Sequence, residues 1–194
     1  MVLKGITKRW ILNSLGSIII ILIVLECFLA FFIHSFFYNG VEQTLLNKSI
    51  SLVNVFPNYK EESQKDFASK AKAYIFDFED KSLMELQAFN NNDEVLITST
   101  GFLPQGDQIT NDYFIAKASE GHRGLFTGYM SSGEKIMSQT IAIYSTNGEY
   151  MGAIRYIVSL KSIDNTIFWS VLGAITVGLA ILLFVIMSGS YFIK

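Results

Sequence analysis

The chain has 194 residues, 51% of them hydrophobic, with 15 Lys and Arg against 17 Asp and Glu and a net charge of −2. With no basic stripe, that balance argues against a nucleic-acid partner. The single cysteine, Cys27, excludes an intramolecular disulfide and a thiolate metal site.

The apolar residues are unevenly spread, so position says more than the average. Residues 11–38 and 167–187 are almost wholly apolar, and charges recur every few residues between them. A helix needs about 20 apolar residues to cross a hydrocarbon core roughly 30 Å thick. At about 1.5 Å per residue, the first run spans about 42 Å and the second about 31 Å, so both are long enough. The first exceeds the apolar core of a cleavable signal peptide, and no A-x-A cleavage site follows it. It is read as a retained membrane helix over 11–38 after a cytoplasmic stretch, 1–10.

Within this helix Glu26 is an anomaly. A mid-helix charge costs about 2.5–3.5 kcal/mol on insertion scales, which apolar neighbours can outweigh. Such residues usually face a bundle interior, so Glu26 is expected to be a neutral acid hydrogen-bonded to another helix. The alternative is a residue that snorkels from the core's upper third.

Residues 39–166 form one domain-sized segment. Its first part, 41–56, carries apolar residues at 41, 45 and 52 and again at 46, 50 and 53. These are two stripes on one helix, one able to cover its own domain and one able to meet a partner helix. Pro57 ends or bends it. A second helix over 61–79 repeats Phe67, Ala71, Tyr74, Ile75 and Phe78 at core-facing spacing.

After Lys81 the period becomes two. Residues 83–89 and 94–100 read as strands about the turn "NNND", followed by a loop marked by Gly101, Pro104 and Gly106. A short helix over 111–119 has Asn111 or Asp112 as its cap. Strands over 124–130, 135–144 and 150–160 follow, joined by "SSGE" and "STNGE", both tight-turn sequences. The order implies an α+β domain with a five-stranded antiparallel sheet and N-terminal helices. The last strand continues through "SLKSIDNTI" into the second membrane helix, 167–190, with no flexible linker.

In that helix Thr176 lies at a depth comparable to Glu26, and Ala174 with Gly178 makes a small-xxx-small pair permitting close approach. A four-helix homodimer would give Glu26 its setting, with membrane lipid outside it. Lys4, Lys8 and Arg9 before the first helix and Lys194 after the second place both termini in the cytoplasm and 39–166 outside the cell. Trp10, Tyr38, Trp169 and Tyr191 stand at the four interfacial positions. Residues 191–194 then read as the start of a cytoplasmic linker, and Lys194 as a cut before output domains.

No nucleophile elbow, P-loop or dinucleotide fingerprint occurs. His34 and His122 lack partners at metal-ligand spacing, and Asp77, Glu79 and Asp80 lack the glycine of a calcium loop. The chain is read as having no catalytic residue, metal site or cofactor, with His122 a solvated turn residue.

The hairpin "ELQAFNNNDEVLITSTGF" is strand, turn, strand, ending in small hydroxyl residues. In "GEKIMSQTIAIYSTNGEYMGAIRYIVSLKSID" two strands join through an Asn-Gly-type turn, and the second opens on "xGxxR". With the membrane helix that follows, these resemble the input half of a bacterial transmembrane sensor histidine kinase. The resemblance is to one with an extracytoplasmic PAS-like (Cache, or PDC) domain, in the plasma membrane. It implies a PAS-like fold and a homodimer that passes a small-molecule or protein stimulus through the second membrane helix. In the full protein it implies ATP and a response regulator as partners. Chemoreceptors and diguanylate cyclases share this module, and a complete membrane-anchored interaction protein is the other alternative.

A PAS-like sheet closes a pocket against the segment 98–119. The anchor candidates there are Ser99, Thr100, Tyr113, Tyr129, Thr140, Tyr144 and Arg155. Arg155 interrupts an apolar strand and by alternation shares a face with Met151, Ala153 and Ile157. Two readings fit: an anchor for a ligand carboxylate or phosphate, or, the favoured one, a structural salt bridge. The clustered Tyr, Arg, Trp and Tyr motif of amino-acid-sensing Cache domains is absent.

Overall fold

The computed structural model describes residues 5–56, 64–100, 111–118 and 122–192. Lys4, Pro57, Gly101, Pro104, Gly106 and Lys194, which carried expectations above, lie outside them, as do the side chains of Trp10, Asn111, Asp112 and Tyr191. The chain divides into two compact units, one of residues 1–38 with 164–194 and one of Asn39–Ile163.

Two helices supply the first unit, α1 (Gly5–Val55) and the last helix of the chain (Lys161–Phe192). Both contain spans long and apolar enough to cross a membrane, Leu15–Leu52 and Lys161–Ser188. Each hides one stripe. On α1 it is Leu22, Glu26, Ala30, Ile33 and Phe37; on the last helix it is Asp164, Ile167, Val171, Ala174, Gly178 and Leu182. Steps of three or four residues make each stripe a single helical face. The other faces expose large apolar side chains such as Phe28, Phe31 and Phe184.

The stripes meet. A Cβ at Gly178 would overlap Glu26 Oε1 and lie 3.6 Å from Leu22 Cδ1, so glycine leaves room for the carboxyl. Towards the other end, Tyr38 donates its hydroxyl hydrogen to Asp164 Oδ1 at 2.6 Å. The His34 ring stacks on Tyr38 with centroids 4.1 Å apart.

The second unit begins with the remainder of α1, which buries Leu45, Ser49 and Leu52 at helical spacing. Of the second stripe, Leu46 is half-buried and Ile50 exposed. Helix α2 (Gln64–Phe76) buries Phe67, Ala71 and Ile75. It stops three residues short of the expected end. There Phe78 N turns back to Ile75 O, and Lys81 Nζ caps the free Phe76 carbonyl at 2.8 Å.

Five strands follow, β1 (Glu85–Phe89), β2 (Val95–Thr98), β3 (Arg123–Tyr129), β4 (Lys135–Tyr144) and β5 (Tyr150–Ser159), with α3 (Asn111–Ala118) between β2 and β3. They form one sheet in the order β2-β1-β5-β4-β3, every pair antiparallel. The fold is the α+β, PAS-like one expected. Strand β1 starts two residues late because Leu83 N and Met84 N are held by Asp80 O in a turn. Gly133 and Gly148 supply the positive φ of the two later hairpin turns.

The last helix, labelled α4, starts at Lys161, earlier than the membrane segment read from hydropathy. Ser159 Oγ accepts from Lys161 N at 3.4 Å, and Asp164 brings a negative charge to the first turn. Only Leu160, fully buried, separates β5 from α4, and its N–H is bound by Lys135 O at 2.9 Å.

Candidate functional site

The sheet has two unlike faces. One carries Leu86, Ile154 and Tyr156 and receives the helices: Tyr156 shares a hydrogen bond with Tyr74 OH at 2.7 Å and packs against Phe78. Burial, followed by the bond to Tyr74, pushes the Tyr156 hydroxyl pKa well above the usual tyrosine value.

The opposite face is polar at its centre. Register pairs Thr98 with Gln87, Gln87 with Arg155, and Arg155 with Thr140, so four polar side chains stand in one row across β2, β1, β5 and β4. Directly opposed residues share a face, with Cβ atoms about 4.5–5.5 Å apart. Exposures along the row are 4%, 1%, 0% and 0%. One layer further, buried Ser138 accepts from Arg155 Nη2 at 3.4 Å. Four buried polar residues in register are costly unless each is used.

At one end of this face lies α3. Tyr113 is fully buried, stacks on Phe89 with centroids 5.4 Å apart and clusters with Ala153. Its hydroxyl donates to Asp93 Oδ1 and lies 2.6 Å from Tyr150 OH. Lys117 Nζ pairs with Asp93 at 3.2 Å and sits 4.3 Å over the Tyr150 ring, while Tyr144 OH donates to Lys117 O at 3.1 Å. Burial, then the bonds to Asp93 and Tyr150, pushes the Tyr113 hydroxyl pKa up. Burial also raises that of Tyr150, against an opposing effect of its bond to Tyr113. Both remain neutral donors across physiological pH.

Of the seven anchor candidates, Arg155 and Thr140 belong to the row, and Tyr113 and Tyr144 to the cluster at its end. The other three stand elsewhere. Ser99 Oγ accepts from Leu86 N at 2.9 Å and serves the β1–β2 pairing. Thr100 bonds Thr98 at 2.7 Å but is itself exposed. Tyr129, 68% exposed, ends β3 opposite Lys135. Among the membrane-helix candidates, Glu26, Ala174 and Gly178 share the α1–α4 stripe, whereas Thr176 is exposed and bonds Leu172 O within its own helix. His122 is exposed, with its ring 4.3 Å from that of Tyr144.

Sequence reasoning missed Gln87, Thr98, Ser138, Asp93, Lys117 and Tyr150. A signal existed for Gln87, a polar residue between Leu86 and Ala88 in a short strand; the others needed the register. Among the described residues, no group of three His, Cys, Asp or Glu is placed to hold a metal ion.

No protein-family model matches the chain, and no curated protein does. Solved structures similar to it include sensor domains. The sensory domain of the Campylobacter jejuni chemoreceptor Tlp3 (CcmL) is 14% identical, over 84% of this chain and 67% of that one, with a TM-score of 0.45. The extracellular domain of mmHK1S-Z2, named as a histidine kinase, is 16% identical over 68% and 59%, TM-score 0.44. The ligand-binding domain of the Pseudomonas aeruginosa PAO1 chemoreceptor PctC, in complex with GABA, is 13% identical over 77% and 62%, TM-score 0.42. At these identities and TM-scores the likeness carries no conclusion about function.

Proposed function

We propose that the chain is the signal-input region of a bacterial membrane receptor of the sensor histidine kinase type. In this reading residues 39–166 lie outside the cell and both termini lie inside. The polar sheet face takes up a small-molecule stimulus, and α4 carries the response to cytoplasmic output domains. The full protein would act as a homodimer, using ATP to phosphorylate a response regulator.

One observation carries the reading: a fully buried arginine at the centre of a polar row, on the strand that leads after one residue into an apolar helix. A ligand that binds two arrangements of β5 unequally biases α4, and differential affinity is the only lever required. Arginine at such a position suits a carboxylate, which it can grip with two parallel hydrogen bonds.

The test is thermal-shift screening of the chain in lipid nanodiscs against small organic acids. Stabilisation abolished by Arg155→Met is the expected result; stabilisation indifferent to that change removes Arg155 from the site. Cysteine cross-linking between the α4 helices of two copies, with and without a stabilising acid, then tests transmission. Identical patterns at every position would sink it. The coding sequence beyond residue 194 separates the receptor types: a His-bearing dimerisation helix indicates a kinase, and an acidic methylation helix a chemoreceptor.

A further inference from the structure

Gln87 is a member of the polar row whose chemistry is incompletely used. It is 1% exposed, and its side-chain oxygen Oε1 is buried with no hydrogen-bond partner. Its Nε2, by contrast, donates to Glu85 Oε1 at 3.0 Å. That bond fixes which way round the amide sits. Turning it over would set the carbonyl oxygen against a carboxylate and lose the donor, so the network assigns Oε1 as the free end. Glu85 therefore acts as a positioning residue, holding Gln87 as an acceptor.

An unused buried acceptor calls for an explanation, because nearly all such groups in folded proteins are satisfied. Its neighbour in register is Arg155, about 4.5–5.5 Å away at Cβ. An acid gripped by the guanidinium would bring its own substituents up against Gln87. An N–H or O–H there would meet Oε1; a bare methylene would leave Oε1 stranded.

We propose that Gln87 is a specificity-determining residue of this face, selecting small acids that carry an N–H or O–H donor beside the acidic group. This rests on the ligand-binding reading of the polar face given above. The discrimination comes mainly from the penalty of leaving Oε1 dry and unpaired with the wrong ligand, the stronger kind of polar selectivity.

The experiment compares matched acids, glycolate with acetate and lactate with propionate, by calorimetric titration of the full chain in nanodiscs. The expected result is about tenfold or more tighter binding of the hydroxylated member of each pair. In Gln87→Met, which removes the acceptor at similar volume, that preference collapses while propionate binding holds. The pairwise comparison in the unmodified chain needs no variant to fold. Equal affinities within each pair, with binding lost in Arg155→Met, overturn the Gln87 assignment and leave the ligand-face reading standing. Oε1 would then be satisfied by water alone. Binding of none of the four acids overturns both.

Discussion

Glu26 Oε1 occupies the space over Gly178 that any side chain at 178 would fill. A carboxyl at that depth and a residue without a side chain are complementary, and together they set the register of α1 against α4. Gly178→Leu is expected to destabilise the pair by about 1–3 kcal/mol through overpacking. Cysteines placed at Ala30 and Ala174, one turn towards the Tyr38–Asp164 end, would report this as a reduced disulfide yield. In a Glu26→Ala background Gly178→Ala should be close to neutral. A full penalty there would show that the two residues are not coupled.

The bond from Tyr38 to Asp164 closes the same helix pair further along. Tyr38→Phe is expected to cost about 1.5 kcal/mol, the lower range for a hydrogen bond to a charged acceptor. Asp164→Asn keeps an acceptor and should cost less. Thermal unfolding in nanodiscs orders the two, and the reverse order would count against the bond.

Lys117 holds α3 through Asp93 and the Tyr150 ring. Lys117→Met removes the ion pair and the cation–π contact, together worth roughly 1–2 kcal/mol at a half-exposed site. Amides of α3 should then exchange about 5–30-fold faster, with β4 and β5 unchanged. Uniform acceleration across the sheet would mean that the lysine supports global stability and not the helix in particular.

Tyr113, Tyr150 and Tyr156 all have pKa values raised in the folded state, with burial the largest cause. In the unfolded chain they ionise near the ordinary value of about 10. The stabilisation is therefore complete below about pH 10 and is lost as pH rises above it, because only the unfolded state sheds protons there. Melting temperature should be flat from neutral pH upward and fall in that alkaline window. Tyr156→Phe should melt lower at neutral pH, having lost its bond to Tyr74, yet show a shallower alkaline fall.

What could be read from the residues alone follows periodicity. Alternation found β4 and β5 to within a residue, and helical spacing found Phe67, Ala71 and Ile75. Arg155 stood out because it broke an apolar run. Gln87 gave a weaker signal, a polar residue between Leu86 and Ala88, and its meaning comes from facing Arg155 across β1 and β5. The Tyr113–Asp93–Lys117–Tyr150 cluster draws on the β1–β2 turn, α3 and β5, which no local pattern joins. Depth along a helix says nothing of azimuth: Thr176 is exposed within this chain, whereas Gly178, two residues on, is turned towards Glu26. The start of α4 was hidden because Lys161 to Asn165 reads as polar strand end. The N-terminal turn of the helix uses Ser159 as cap and Asp164 as counter-charge.

Leu160 is a single residue between a central strand and a long helix, buried and hydrogen-bonded to Lys135. A loop of several residues would dissipate a displacement in its own torsions. One anchored residue offers two rotatable backbone bonds and no slack. Under the signal-input function proposed above, lengthening this joint by a few glycines should leave any uptake of acid on the sheet intact while weakening the response carried by α4. On the proposed reading, that insertion would separate binding from transmission.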